Sequence, residues 1–155
     1  MYCWYLRNMY LENNLRIPNK LSMCGVPVDL GKIDMPSYIL ATHEDHIVPW
    51  TSAYLTTGLV GGEATFVLGA SGHIAGVINP AAKNKRNFWV GGEKGADAEH
   101  WFETAQSVAG SWWPHWSEWL AAKAGKKISA RSQLGSSQYP ATEAAPGRYV
   151  KVRND

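Results

Sequence analysis

Apolar and polar positions divide the first 42 residues into three predicted segments. Residues 2–15 carry apolar side chains at helical spacing, which predicts an amphipathic helix that ends before Pro18. Residues 18–37 are interrupted by proline and glycine, so they predict a loop with short extended pieces, one of them a brief strand over 26–30. Residues 38–42 form an apolar run that is typical of a buried parallel strand.

A strand, helix and strand unit follows. Pro49 begins a predicted helix over 50–60, which Gly61 and Gly62 end, and residues 64–68 form the next predicted strand. Short loops join the three elements, so the two strands are expected to be parallel with a right-handed crossover. In such sheets, ligands and catalytic groups gather beyond the carboxyl ends of the strands.

The second half of the chain predicts two helices and a tail. Residues 97–109 have helical spacing with Gly110 as a stop, and residues 113–124 form a second helix that tolerates Pro114 in its first turn. From residue 126 the chain is polar and rich in Gly, Ser, Ala and Pro, which indicates an extended tail. The predicted fold class is therefore α/β.

An acid and a base follow the two predicted strands. Asp45 lies just past the first strand and His73 just past the second, so both are expected at one edge of the sheet. An acid followed by a histidine is the order that completes a nucleophile–acid–histidine site in α/β-hydrolases. No nucleophile elbow precedes Asp45, so the pattern predicts the second half of a catalytic site.

A structural role is the alternative for this pair. Asp45 is a plausible capping residue for the helix at Pro49, with His73 packed beneath it. Three glycines around His73, at 69, 72 and 76, favour the catalytic interpretation, because they suggest backbone in close quarters where side chains would obstruct a ligand.

Three other segments have weaker chemistry. His43-Glu44-Asp45-His46 holds metal-ligand types, but four adjacent residues rarely converge on one ion without a further ligand such as His73, so no metal is expected. The glycines of residues 91–95 lack the Gly-Lys-Ser/Thr ending of a phosphate loop and indicate a flexible turn. The basic run at 83–86 fits either a phosphate-bearing ligand or a solvated face.

Tryptophan is concentrated in the second half, where five of the eight lie between Trp101 and Trp119. Two turns of one predicted helix carry most of them, which favours core or inter-domain packing. The alternative is a surface that contacts something apolar, such as another subunit or a granule.

Composition excludes several classes of protein. The 155 residues are 45% hydrophobic and 18% charged, as in an ordinary globular domain, and a net charge of +2 does not predict nucleic-acid binding. Cys3 and Cys24 are isolated, which indicates a reducing, cytoplasmic compartment. No run approaches the roughly 18 apolar residues of a membrane span. The first five residues read like the middle of a helix, so we expect a piece of a longer protein.

Six motifs are distributed along the chain: YLRNMYLEN at 5–13, EDHIVPW at 44–50, GASGHIAGVINP at 69–80, KNKR at 83–86, GSWWP at 110–114 and APGRYVK at 145–151. With these motifs the chain resembles the C-terminal part of class I polyhydroxyalkanoate synthases, nearly end to end. The resemblance implies an α/β-hydrolase-fold acyltransferase that polymerises (R)-3-hydroxyacyl-CoA, typically 3-hydroxybutyryl-CoA, and releases CoA. It also implies a homodimer in the full-length protein, cytoplasmic location on polyhydroxyalkanoate granules, and no resident cofactor.

The resemblance assigns roles to residues. It makes Asp45 and His73 two members of a Cys-Asp-His triad whose cysteine lies upstream of this chain, since neither Cys3 nor Cys24 has the Gly-x-Cys-x-Gly setting. Next to these anchors, three residues are weaker candidates for lining the substrate path: His46, Ser71 and Ala75. Asp45 either orients His73 or helps to deprotonate the substrate hydroxyl, and both roles stay open here.

Three regions follow from this interpretation. Residues 1–37 are the end of a cap region with a connecting loop, residues 38–125 are the C-terminal part of the catalytic domain, and residues 126–155 are the extended tail. The alternatives are a thioesterase or esterase of the same fold, in which water accepts the acyl group, and a non-catalytic module that docks on granules through its tryptophan surface.

Overall fold

A computed structural model describes residues 1–95 and 97–153. The chain divides into two compact units, residues 1–123 and 124–155. In its described part, the second unit contains an isolated bridge between Gly135 and Pro140 and a 3₁₀ turn at Tyr149–Lys151. The last two residues of the predicted tail lie outside the described residues.

The first unit is built on a mixed sheet of four strands, which lie side by side in chain order. Its strands are β3 (Ser37–Thr42), β4 (Ala64–Gly69), β5 (Asn87–Val90) and β6 (Gln106–Ala109). The β3–β4 pair is parallel, as predicted, whereas β4–β5 and β5–β6 are antiparallel. The protein is therefore a mixed α/β fold whose single parallel pair, among the described strands, carries the predicted acid and base.

The N-terminal segment differs from the single helix predicted over residues 2–15. An α-helical turn, α1 (Tyr2–Tyr5), runs into a π-helix over Leu6–Leu11, and a 3₁₀ turn follows at Asn14–Arg16. Asn13 separates the last two because its φ of 48° is left-handed, a conformation in which no helix continues.

A two-stranded hairpin occupies the loop region, where short extended pieces were expected. Its strands are β1 (Leu21–Met23) and β2 (Val26–Val28). Cys24 and Gly25 both have positive φ, as a two-residue hairpin turn requires. β2 ends before residue 30 because Asp29 accepts the N–H of Gly31 and starts a 3₁₀ turn at Leu30–Lys32.

Four further helices surround the main sheet: α2 (Trp50–Tyr54), α3 (Ala75–Ile78), α4 (Ala98–Thr104) and α5 (Trp113–Ala124). α5 has the predicted bounds, and Gly125 follows it with a φ of +77°. The predicted crossover helix is shorter than expected, because after α2 the chain tightens into a 3₁₀ turn at Leu55–Gly58. Within the described ranges, every helix is too short or too polar to cross a bilayer.

The prediction of one helix over residues 97–109 is wrong in its second half. α4 ends at Thr104, and Ala105 is already extended. Residues 106–109 pair with β5 instead, in the register Asn87 with Ala109. Pairing with a neighbouring strand therefore overrides the helical spacing.

Both faces of β4 are buried, so the sheet lies between two helical layers. Phe66 and Leu68 face one cluster, whose other buried members are Trp50, Tyr54, Ala98 and Trp101. Val67 faces the other, together with Phe88 and Trp112. A strand that is covered on both sides reads as a continuous apolar run, which explains why β4 could be found from sequence.

Candidate active site

The carboxyl ends of β3 and β4 lie side by side. Thr42 and Gly69 are partners in the parallel register, and the chain continues from each into a loop. The loops are tied together, since the N–H of His43 donates to the carbonyl of Gly69 at 2.8 Å and that of Glu44 donates to Ser71 at 3.0 Å. Residues that follow the two strands are thus held against each other at one edge of the sheet.

Asp45 holds a turn in the first of these loops. Its Oδ1 accepts the N–H groups of Ile47 at 2.9 Å and Val48 at 3.0 Å. These two hydrogen bonds lower the pKa of the carboxyl below its ordinary value, and the bond from Val48 has the larger effect. The nearby His73 and His46 lower the pKa in addition. The N-cap of α2 is Pro49, so Asp45 shapes the approach to the helix and does not cap it.

His73 faces the same carboxylate oxygen. Its Nδ1 lies 3.6 Å from Oδ1 of Asp45, slightly beyond hydrogen-bonding range, and this nitrogen is buried without a hydrogen-bond partner. The His73 side chain is 32% exposed, so the ring is neither enclosed in the core nor free in solvent. A shift of a few tenths of an ångström forms a charge-assisted hydrogen bond between the two groups.

The three weaker candidates have different positions. The His46 ring lies 5.1 Å from the His73 ring, centroid to centroid, so the fold brings these two together. Ser71 joins the loops through its carbonyl oxygen and has a φ of +74°. Ala75 is the first residue of α3 and is exposed. The lining of a substrate path by these three residues stays a prediction.

The glycines near His73 make room for the protein's own chain. A Cβ on Gly76 would lie 2.5 Å from the carbonyl oxygen of Ala70 and 2.7 Å from Cγ2 of Thr42. At Gly72 and Gly69 the nearest atoms lie at 3.5 Å, which is ordinary contact. The close approach predicted from these glycines is therefore found at Gly76, where the neighbouring atoms are those of the protein itself.

The remaining histidine of this loop belongs to an aromatic group. The His43 ring lies 5.1 Å from that of Phe102, 5.6 Å from Trp89 and 6.2 Å from Trp50. Among the residues that the structure describes, no three His, Cys, Asp or Glu side chains are grouped as ligands of one metal ion.

Sequence reasoning missed two tryptophans that contact the segment after His73. The indole N–H of Trp112 lies 3.2 Å from the carbonyl oxygens of both Gly76 and Val77, and that of Trp113 lies 3.1 Å from Val77 and Ile78. Core packing, the favoured interpretation, is correct for Trp112, which is 6% exposed. The only available signal was the motif GSWWP, which does not say what its indoles bind.

The fold and the site together define a class: mixed α/β proteins that present an Asp–His pair at the carboxyl edge of a parallel strand pair. No family model matches the chain. Curated relatives do. The poly(3-hydroxyalkanoate) polymerase subunit PhaC of Cupriavidus necator is 55% identical over 152 residues, 98% of this chain and 26% of that protein.

Two further relatives are also named as poly(3-hydroxyalkanoate) polymerases. The poly(3-hydroxyalkanoate) polymerase subunit PhaC of Rhizobium meliloti is 46% identical over 97% of this chain and 24% of its own length. The poly(3-hydroxyalkanoate) polymerase 1 of Ectopseudomonas oleovorans is 42% identical over 96% of this chain and 26% of its own length. The chain belongs to the polyhydroxyalkanoate synthase family and spans about a quarter of the length of these relatives.

Proposed function

We propose that Asp45 and His73 are the acid and the base of a Cys-Asp-His triad in a polyhydroxyalkanoate synthase. The chain is then the C-terminal part of an α/β-hydrolase-fold catalytic domain, in which residues 1–37 end a cap region. The observation that carries the proposal is the 3.6 Å separation between Nδ1 of His73 and Oδ1 of Asp45, at the carboxyl edge of the β3–β4 pair. The triad's cysteine is supplied by chain beyond these 155 residues.

In this proposal each ring nitrogen of His73 has a task. Nδ1, which faces the Asp45 carboxylate, carries the ring proton, and Nε2 is left as the proton acceptor. Nε2 removes the proton of the cysteine thiol, and the thiolate attacks the thioester carbonyl carbon of (R)-3-hydroxyacyl-CoA. The C–S bond to coenzyme A breaks, and the departing thiolate takes the proton back from the imidazolium. Coenzyme A arrives with the substrate and is not a resident cofactor.

Chain growth uses a hydroxyl as the second nucleophile. A hydroxyl of one hydroxyacyl unit attacks the acyl–cysteine thioester, an ester bond forms and the cysteine thiolate is released. The pKa of Asp45 is lowered by two backbone N–H groups, which makes this carboxylate a poor base. We therefore assign removal of the hydroxyl proton to His73, and to Asp45 the orientation of the ring and stabilisation of the imidazolium.

Exposed aliphatic side chains close to the pair in sequence suit a polyester. Ile47, Val48 and Ile74 lie within three residues of Asp45 or His73, and each is more than half exposed. Exposed apolar side chains near an acid and a base fit a substrate that is mostly hydrocarbon and ester. Cytoplasmic granules of the polymer and a second copy of the full-length protein remain the proposed partners.

The test is release of CoA from 3-hydroxybutyryl-CoA by the longer protein that contains this segment, followed with a thiol reagent. His73→Gln and Asp45→Asn are each expected to lower the rate by about a thousandfold or more. The control is His100→Gln, because His100 is an exposed histidine of α4 that pairs with Glu93. Turnover at the wild-type rate by His73→Gln would refute the assignment.

Two product measurements separate the alternatives. Soluble hydroxy acid in place of insoluble polymer would make the protein a thioesterase of the same fold. The 155-residue chain alone is expected to release no CoA, and clear turnover by it would show that the cysteine need not come from elsewhere.

A further inference from the structure

Three consecutive residues donate hydrogen bonds to the carbonyl groups at the end of α3. Ser111 donates its hydroxyl to the carbonyl oxygen of Asn79 at 2.6 Å. The indole N–H of Trp112 donates to the carbonyls of residues 76 and 77, and that of Trp113 donates to the carbonyls of residues 77 and 78. Four successive carbonyl groups are thereby satisfied from one short segment, which we call the indole clamp (residues 111–113).

The clamp is itself fixed from two sides. The N–H of Ser111 donates to the side-chain oxygen of Asn84 at 3.0 Å, and the N–H of Gly110 donates to the carbonyl of Arg86 at 2.7 Å. Gly110 has a φ of +103°, and a Cβ there would collide with the Asn84 side chain. The segment therefore enters α5 along one fixed path.

α5 in turn is attached to the strand that precedes Asp45. The hydroxyl of Tyr38, on β3, hydrogen-bonds Nδ1 of His115 at 2.9 Å. The Tyr38 ring also lies 5.4 Å from that of Trp119 and 6.4 Å from that of Trp112. β3 thus leads into the loop that contains Asp45, and through α5 it also supports the indole clamp that contacts α3.

α3 depends on such support. It is a single turn of four residues without a side-chain N-cap, and isolated helices of this length are unstable in water. His73 lies two residues before its first residue, so a displacement of α3 acts on the backbone that carries the His73 ring. The carbonyls at the end of the helix lack partners within it, so they are free to accept hydrogen bonds from a neighbour.

We propose that the indole clamp positions His73 against Asp45 by gripping α3, which makes Trp113 a positioning residue of the triad. The inference rests on the proposed function, because it presumes that the geometry of this pair matters for turnover. Apolar packing suffices to explain Trp112, which lies in the core. Trp113 is 37% exposed and stacks on Trp112, but stacking alone does not require its N–H to lie within 3.1 Å of two carbonyls, as it does.

The test is Trp113→Phe in the longer protein, since this change keeps an aromatic ring and deletes the N–H. We expect kcat for CoA release to fall about tenfold with KM unchanged, a smaller loss than the hundredfold that a 1 Å misplacement costs. Backbone amide exchange at residues 76, 78 and 79 should accelerate. The control is Trp4→Phe, the same ring change at an exposed tryptophan of α1, where the described residues offer the indole N–H no hydrogen-bond partner.

A double variant distinguishes positioning from general support. If Trp113 acts through His73, then Trp113→Phe causes no further loss when His73 is already Gln. A tenfold loss in that background too, or wild-type kcat and exchange in Trp113→Phe, would overturn the inference. Wild-type turnover by His73→Gln would be a different result, because it would refute the proposed triad on which this inference rests.

Discussion

Thr42 and Gly76 are in direct contact: the methyl carbon of Thr42 lies 2.7 Å from the point that a Cβ on Gly76 would occupy. Thr42 is the last residue of β3, and Gly76 is the second residue of α3. The strand that leads to Asp45 and the helix that follows His73 therefore meet with only the Thr42 side chain between them.

Gly76→Ala is expected to destabilise the protein by about 1–3 kcal/mol, as overpacking of a tight contact does. The added methyl collides with Thr42 and with the carbonyl of Ala70, so α3 must move outward. Urea denaturation measures the loss. Gly72→Ala is the matched control, because its nearest neighbour is the carbonyl of Glu44 at 3.5 Å and its stability should stay close to wild type.

The turn at Asp45 predicts an acid-sensitive element. Because two backbone N–H groups lower the pKa of the folded carboxyl below its ordinary value of 3.8, the stabilisation is complete above that value and is lost as the pH falls through the lowered pKa. The urea midpoint of wild type should exceed that of Asp45→Asn by a constant amount above about pH 5, and the difference should close towards about pH 2. Asp34→Asn, at an exposed carboxylate, is the control; the same pH dependence there would contradict the prediction.

The buried phenol of Tyr38 predicts a loss of stability at high pH, whereas Asp45 predicts one at low pH. Burial raises the pKa of its phenol far above the ordinary value of 10.0, so the folded state retains a proton that the unfolded state loses. Its contribution to stability is present below about pH 10 and declines as the pH rises through the raised pKa. The tyrosinate absorbance of native protein minus that of Tyr38→Phe should show a phenol that ionises late. The matched control is Tyr149→Phe, at an exposed phenol, and an identical difference curve there would contradict the prediction.

Tyr54 fixes the loop before α4. Its hydroxyl donates to the carbonyl of Gly95 at 2.9 Å and accepts the N–H of the same residue at 3.1 Å, while its ring is 1% exposed. Tyr54→Phe keeps the ring packing and should cost about 1 kcal/mol, the net value of a typical hydrogen bond. Tyr2→Phe at an exposed position should leave the urea midpoint unchanged, and an equal shift in both variants would argue against the loop contact.

The positions of Asp45 and His73 could be predicted because each follows an apolar run of a parallel pair. The strand register then places both at one edge, which topology alone dictates. Sequence reasoning offered catalysis and helix capping as alternatives for Asp45; it did not predict that the carboxylate would face His73 and also accept the N–H groups of Ile47 and Val48.

β5 and β6 could not be found from sequence because neither carries a pattern of its own. Each has four residues, and their order in the sheet depends on pairing with each other and with the end of β4. The same pairing ended the predicted helix at Thr104. Long-range backbone hydrogen bonds decided these segments, and local spacing does not contain that information.

The stacked indoles of Trp112 and Trp113 also have an optical consequence. Their ring centroids are 4.3 Å apart with planes at 25°, close enough for the excited states of the two chromophores to couple. Such a pair gives a signed doublet in circular dichroism that single indoles do not. Since these rings grip the turn that follows His73, the doublet is a label-free signal from the neighbourhood of the candidate base, readable while substrate is added.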